Sequence, residues 1–307
     1  MPSSLRAART SRGGPAKGGS RRTTPCPRAR PTVRSVPNLL GEFLRARREL
    51  TRPEDHGLPV GRRRVPGLRR EEVAMLAGIS ADYYLRLERG RDRHPSTQVV
   101  EALARVLELD AESTGYLASL ATPAPRVPRR GRREPERAAP EIVRLLESMA
   151  GVPAFVLGRC MDVLAGNRLC ELLCGAVPGD GNIVRHVFLD PAAREFYPDW
   201  SDVAEETVAA LRACAAAAAD DPRLVTLVGE LSVRSDEFRR LWARHDVRAK
   251  AAGRKRLVSP TVGEVTLSWE SLAVASAPGQ LVVTYFAEPG SPSAAALARL
   301  QELAARQ

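Results

Sequence analysis

The stretch LAGISADYYLRLERG, residues 76–90, decides the fold of the N-terminal half. It sets Asp82, Tyr83, Tyr84 and Arg86 side by side, a combination shared by acid–base sites and plain helix surfaces. Helical periodicity separates the two readings. Val73, Ala74 and Ala77 share the inner face of one helix, and Ile79 lies in the turn that follows. Tyr84 and Leu87 sit three apart on the next helix and meet that same core. Ala81, Asp82, Tyr83, Leu85 and Arg86 remain on the outer and flanking faces. Gly78 can take the positive φ of a tight turn, and Ala74 is small where the two helices cross. Two short helices joined in this way, the second with a polar outer face, form a helix-turn-helix.

Outward from this stretch the pattern stays helical. LLGEFLRARREL (39–50) carries Leu40, Phe43 and Leu44 on one side. Ser80 is placed to cap ADYYLRLE, Ser96 to cap TQVVEALARVLEL, and Asp110 to cap AESTGYLASLA. Residues 51–67 form a longer connection with Pro53, Pro59, Pro66 and the run Arg62-Arg63-Arg64. The expectation is an all-α, five-helix domain over residues 37–121.

The chain has 307 residues and a net charge of +11, enough length for two domains with separate cores. The charge is uneven: +9 over residues 1–36, +1 over 37–122, +4 over 123–138 and −3 over the remainder. Positive charge flanking a nearly balanced small domain suggests an anionic polymer near the N-terminal half. Residues 1–36, rich in Pro, Gly, Ser and Arg, read as a disordered basic tail. Residues 122–139, TPAPRVPRRGRREPERAA, read as a linker.

No apolar run approaches the ~20 residues of a membrane span, and the start lacks the apolar segment of a secretory signal. A cytoplasmic protein with no membrane partner is expected. Cys26, Cys160, Cys170, Cys174 and Cys214 are an odd, scattered set rather than a disulfide framework. Cys170 and Cys174 lie one helical turn apart, but no His or second pair completes a tetrahedral set, so neither metal nor cofactor is expected. Buried, inert thiols are the first reading, and a cysteine-based redox sensor is the alternative.

PEIVRLLESMAG (140–151) opens a second domain, expected over 140–307, with Ile142, Leu145, Leu146 and Met149 on a helical stripe. VPAFVLG and MDVLAGN read as a hairpin around Gly158-Arg159. Several helices follow, and then the strand-like stretches KRLVSP, GEVTLSWESLAVA and QLVVTYFAE. Ser293 is the expected cap of a last helix, AAALARLQELAA. The sum is an α+β domain: a roughly five-stranded antiparallel sheet with helices on one side. No Gly-rich phosphate loop, nucleophile elbow or metal triad appears. The neighbours His245 and Asp246 point apart on a helix, and His245 reads as a capping or paired residue. The chain is therefore not expected to be an enzyme; an enzyme with a helical docking module is the more distant alternative.

Residues 71–109, EEVAMLAGISADYYLRLERGRDRHPSTQVVEALARVLEL, resemble the lambda-repressor-like, or XRE-type, DNA-binding domain. The likeness rests on Ala74, Gly78, Ile79, Ser80, the Glu88-x-Gly90 step, Pro95 and ALARVL. The Arg-rich connection GLPVGRRRVPGLRREEVA (57–74) narrows it to the MmyB-like transcription regulators. The resemblance implies double-stranded DNA as a partner, with the helix after Gly78 in the major groove. Ser80, Ala81, Asp82 and Tyr83 would then face base edges, with Arg86 one turn on. Asp82 would accept from cytosine or only cap the helix. Arg69 and Arg70 suit a phosphate, and Arg62, Arg63 and Arg64 would hold the flanking backbone. Glu88 would pair with an arginine of the first helix, Arg47 before Arg48. A homodimer is expected, because one such domain reads few base pairs.

The second half resembles the PAS-like ligand-binding domain of the same regulators. PAFVLG…MDVLAGN, NIVRHVFLDPAAREFYPDW, LRACA…DDPRLVTLVGEL, SDEFRRLWARHDV, VGEVTL and EPGSPS carry that likeness. It implies an apolar, fatty-acid-like small molecule, which Phe155, Trp200, Phe238, Trp242, Trp269 and Tyr285 would line. Ser259 stands before Pro260 where the family often has His, and Gly166 precedes Asn167 where an aromatic is common. Both departures bear on the shape of the pocket.

Overall fold

The computed structural model describes residues 38–59, 66–122, 135–175, 181–217 and 221–306. Five helices build the N-terminal domain: α1 Leu39–Leu50, α2 Arg70–Ala77, α3 Ala81–Glu88, α4 Thr97–Val106 and α5 Ala111–Ala121. A short 3₁₀ turn, Pro53–His56, follows α1. The expected caps are in place. Ser80 Oγ accepts from the Tyr83 N–H at 3.1 Å, Ser96 Oγ from Val99 at 3.4 Å, and Asp110 Oδ1 from Ser113 at 2.7 Å. Each satisfies one of the orphan donors that a helix start leaves open. Gly78 ends α2 at φ 68°, in the left-handed region that lets α3 turn away. Phe43, Leu44, Leu68, Val73, Tyr84, Leu87, Leu103 and Leu117 are fully buried together. Burying a side chain of this size stabilises by roughly 1.5–3 kcal/mol.

The C-terminal domain begins with α6 Pro140–Ser148 and the hairpin β1 Ala154–Leu157 and β2 Val163–Gly166. Helices α7 Arg168–Cys174, α8 Ile183–Leu189, α9 Ala193–Phe196, α10 Trp200–Ala217, α11 Pro222–Arg234 and α12 Asp236–Ala243 follow. Strands β3 Ala252–Ser259, β4 Gly263–Ala273 and β5 Leu281–Phe286 then lead to α13 Pro292–Ala305. The sheet is five-stranded and antiparallel, in the order β2-β1-β5-β4-β3. Period-two alternation turns Leu257, Val265, Leu267, Trp269, Val283 and Tyr285 to the large core under the helices.

Two expectations about this half are corrected. Helices do not keep to one side: α6 packs Leu146 against Ala154, Val156 and Val282 on the opposite face. The reason is β1, whose four residues are all buried, so both of its faces need cover. The last helix is capped by Ser291, whose Oγ accepts from Ala294 at 3.1 Å, not by Ser293. Ser293 instead accepts from the Thr266 N–H at 2.9 Å and ties α13 to β4. Pro292 takes the first helical position, where its missing N–H costs nothing. The end of the segment expected to be a linker is docked: Glu136 accepts from the Arg159 N–H at 3.2 Å and from Gln280 at 3.3 Å.

Candidate nucleic-acid interface and ligand cavity

On α3 the two tyrosines part as expected. Tyr84 is fully buried, its hydroxyl donates to the Leu44 carbonyl at 3.4 Å, and burial pushes its phenol well above the ordinary range. Tyr83 is half-buried on the flank, while Ser80, Ala81, Asp82 and Arg86 are exposed. The Arg86 guanidinium pairs with Asp82 one turn back and lies 5.4 Å from the centre of the Tyr83 ring. The outer face thus carries an exposed Asp82–Arg86 pair beside the Tyr83 ring.

Arg69 is exposed, and its backbone N–H is taken by Glu72 at 2.7 Å, which closes the start of α2. Arg70 is committed in part: its Nε donates to Glu88 Oε2 at 2.6 Å. Glu88 is buried, and its other oxygen accepts from Arg48 Nε at 2.7 Å. Arg48 also donates to the Leu68 carbonyl at 2.9 Å. The Glu88 partner on α1 is therefore Arg48 and not Arg47. Arg47 instead bridges Ser113 Oγ of α5 at 3.4 Å and Asp246 Oδ1 beyond the domain at 3.3 Å, with its guanidinium over the Phe43 ring. Arg62, Arg63 and Arg64 lie outside the described residues.

Asp246 belongs to a short segment after α12 that joins the two halves. His245 takes a positive φ of 54° and sets its ring 6.4 Å from Phe43. Its Nδ1 is 2.9 Å from Nη1 of the buried Arg212 on α10. A guanidinium only donates, so Nδ1 accepts and the imidazole is neutral. Burial, then Arg212 and Arg47, hold its pKa down to about 3. Val247 is buried in the N-terminal core, and the Ala249 N–H donates to Glu112 of α5 at 3.0 Å.

The same segment walls a cavity of about 60 Å³ in the C-terminal domain, bounded also by Glu206 of α10, Lys255 of β3 and Trp269 of β4. Of the six aromatic positions read as ligand contacts, Trp269 alone lines it. Phe155 and Tyr285 stack 6.2 Å apart on the inner face of the sheet. Phe238 and Trp242 stack 5.6 Å apart on α12, with Arg212 over Trp242. Trp200 donates to the Val187 carbonyl at 2.9 Å and packs on Phe188. Phe155, Phe238 and Tyr285 belong to the one large core of the domain, and Trp200 and Trp242 pack against it.

The sequence reading missed Lys250, Lys255 and Glu206. For Lys255 a signal existed: Leu257 faces the core, so strand alternation aims Lys255 the same way. Among the described residues, no group of three or more His, Cys, Asp or Glu side chains is placed to hold a metal. No described helix is long and apolar enough to cross a membrane.

Residues 138–300 match the family described as the MmyB-like transcription regulator ligand binding domain, and residues 39–115 match a helix-turn-helix domain. No curated protein matches the chain. A DNA-reading bundle and a ligand-binding domain in one polypeptide make a DNA-binding regulator, and the chain belongs to the MmyB-like transcription regulators.

Proposed function

We propose that this chain binds operator DNA sequence-specifically through α3, and that a small molecule in the C-terminal domain sets its affinity. The observation that carries this reading is the segment 245–250. It is anchored on the DNA-binding domain through Val247 and Ala249, and it walls the C-terminal cavity through Arg248, Ala249 and Lys250. An occupant that moves this wall moves the anchor, which is the differential interaction that a population shift requires.

In the complex, α3 enters the major groove with Ser80, Ala81 and Tyr83 at base edges. Arg86 leaves Asp82 to donate to a base or phosphate, and Asp82 then accepts from a cytosine or keeps its partner. Arg69 and the free nitrogens of Arg70 take phosphates, as do Arg62, Arg63 and Arg64. Two chains read paired half-sites ~34 Å apart as a homodimer. The chain acts as a regulator, not as an enzyme.

The redox alternative is less favoured. A hydrogen bond with Cys174, then burial, push the Cys170 thiol well above its ordinary range, away from the thiolate that a sensor needs. A fatty-acid-like ligand would have to part packed rings such as Phe188 and Phe238, whose centres are 5.3 Å apart. Tryptophan fluorescence during titration with a long-chain fatty acid tests that entry.

The deciding experiment is capture of genomic DNA by the purified chain, followed by salt titration on the recovered sites. The Arg62/Arg63/Arg64→Ala triple variant is expected to bind all sequences more weakly. Its salt slope should flatten by ~0.9 for each phosphate that is no longer neutralised. Absence of salt-dependent promoter binding, together with turnover of a small substrate, would favour the enzyme alternative.

A further inference from the structure

The C-terminal cavity holds charges and a donor that the fold itself does not use. We propose that it binds a short-chain monocarboxylate of roughly two to five carbons, held by Lys250, Lys255 and the Trp269 indole N–H. The proposal rests on the small-molecule control proposed above and names the chemical class of the ligand.

Three observations point there. First, Trp269 is 5 % exposed, yet its Nε1–H has no acceptor among the described residues. A buried donor without a partner is costly, and the natural remedy is an acceptor brought by a ligand. The indole edge is kept at this place by Gly253, where a Cβ would come within 2.7 Å of Nε1. Second, the charges do not cancel. The Lys255 side chain is 8 % exposed and pairs with Glu206 at 3.2 Å. Lys250 has no ion-pair partner among the described residues, although its ammonium lies 5.4 Å from the centre of the Trp269 ring. Lys255 lies 5.5 Å from the same centre. With both lysines protonated, one cation exceeds the single Glu206 carboxylate and calls for a monoanion; a phosphate dianion would leave a charge unmatched in a partly buried site. Arg248 lies at the exposed rim.

Third, Met161, Ala210, Ala252 and the indole face form an apolar patch beside Thr207, which suits a short alkyl tail. The volume of about 60 Å³ matches a short chain held within these walls. A wider groove of about 350 Å³ elsewhere on the domain lacks this pattern, because its cations are spent: Arg223 on Asp162 at 2.9 Å and Arg185 on Glu230 at 2.8 Å.

Burial, then repulsion by Lys255, lower the Lys250 pKa to about 7, with Glu206 and Cys214 acting the other way. In the empty site Lys250 is therefore mostly neutral at pH 8. A bound carboxylate favours its charged form, so binding at pH 8 takes up a proton, and affinity falls as pH rises above 7.

The test is isothermal titration of the full chain at pH 8 with acetate, propionate, butyrate and inorganic phosphate. It is run in two buffers of different ionisation enthalpy, with operator binding measured on the same samples. A monocarboxylate is expected to bind with uptake of close to one proton. Lys250→Met is expected to abolish that uptake and weaken binding by ~10–100-fold, and Trp269→Phe to weaken it by ~3–10-fold with the uptake kept. Silence towards all three carboxylates, unchanged affinity in Lys250→Met, or preference for phosphate would overturn the proposal. If that happens while operator binding is intact, the regulator reading stands and this site falls. Carboxylate binding without any operator binding supports the site and sinks the regulatory reading.

Discussion

Two polar clusters in this molecule each set one glutamate among two basic side chains and end in opposite conditions. In the N-terminal domain the buried carboxylate of Glu88 has both oxygens taken, by Arg48 and by Arg70, and so ties α1, α2 and α3 together. In the C-terminal cavity Glu206 pairs with Lys255, while among the described residues Lys250 has no ion-pair partner and the Trp269 N–H no acceptor. A closed cluster holds helices in register, whereas an open one has capacity left for something that is not protein. The same contrast runs within the N-terminal domain. Glu88 is closed and buried, while Asp82 and Arg86 form a pair in solvent, where water and salt compete with it and little is lost by breaking it. That is the condition a DNA-reading arginine requires.

The largest effect is expected at Glu88. Replacing it by alanine strands the Arg48 charge in the core, at a cost of about 3–5 kcal/mol. Urea unfolding followed by circular dichroism should show the N-terminal transition moving to much lower denaturant. An unmoved midpoint would mean that the cluster is not what holds the helices.

Arg86→Ala tests the exposed pair. That pair should contribute under ~1 kcal/mol to stability, whereas removing a base-reading side chain should cost ~1–3 kcal/mol in operator affinity. Fluorescence anisotropy on operator and scrambled duplexes separates the two effects. Asp82→Asn assigns the partner: tighter binding says that Asp82 only restrains Arg86, and an altered base preference says that it reads a cytosine.

The parts that were legible in the sequence are the local ones. The caps at Ser80, Ser96 and Asp110, and the inward Tyr84, follow from positions three or four residues apart. The Ser291 cap is equally local, since Pro292 marks the first helical turn, yet Ser293 stands directly before the alanine run and draws the expectation to itself. Arg47 and Arg48 could not be told apart, because the choice depends on how α1 rolls against α3 and each follows an apolar residue by one turn: Phe43 for Arg47, Leu44 for Arg48. The cavity was hidden for a similar reason. Alternation along β3 turns Lys255 inward, but Lys250, Lys255 and Glu206 meet only when a loop, a strand and α10 pack together.

The junction between the domains should be acid-sensitive. The folded pKa of His245 near 3 lies below the 6.5 of a free imidazole. Its contribution is therefore complete above pH 6.5 and declines as pH falls towards 3. At pH 5 the loss is about 2 kcal/mol relative to neutral pH. His245→Gln should flatten this part of the stability profile, measured as the urea midpoint against pH. A slope that survives in the variant would place the sensitivity in another group.

Asp246→Ala is expected to change stability little, and it bears most directly on how the two regions communicate. Asp246 pairs with Arg47 of α1 at 3.3 Å and with Arg244 at 2.8 Å, and both pairs are partly exposed. Their loss should cost no more than ~1 kcal/mol. Yet the Arg47 pair joins the segment walling the cavity to the first helix of the DNA-binding domain. If the cavity and α3 are coupled through that segment, the variant should keep ligand-free operator affinity and lose part of the change that a ligand produces. A coupling of ~1 kcal/mol corresponds to about a fivefold shift in operator affinity between ligand-free and ligand-bound protein. The variant should shrink that ratio while the two binding events, measured separately, stay intact. A full ratio in the variant would locate the coupling in the Val247 and Glu112 interactions, which the substitution leaves untouched.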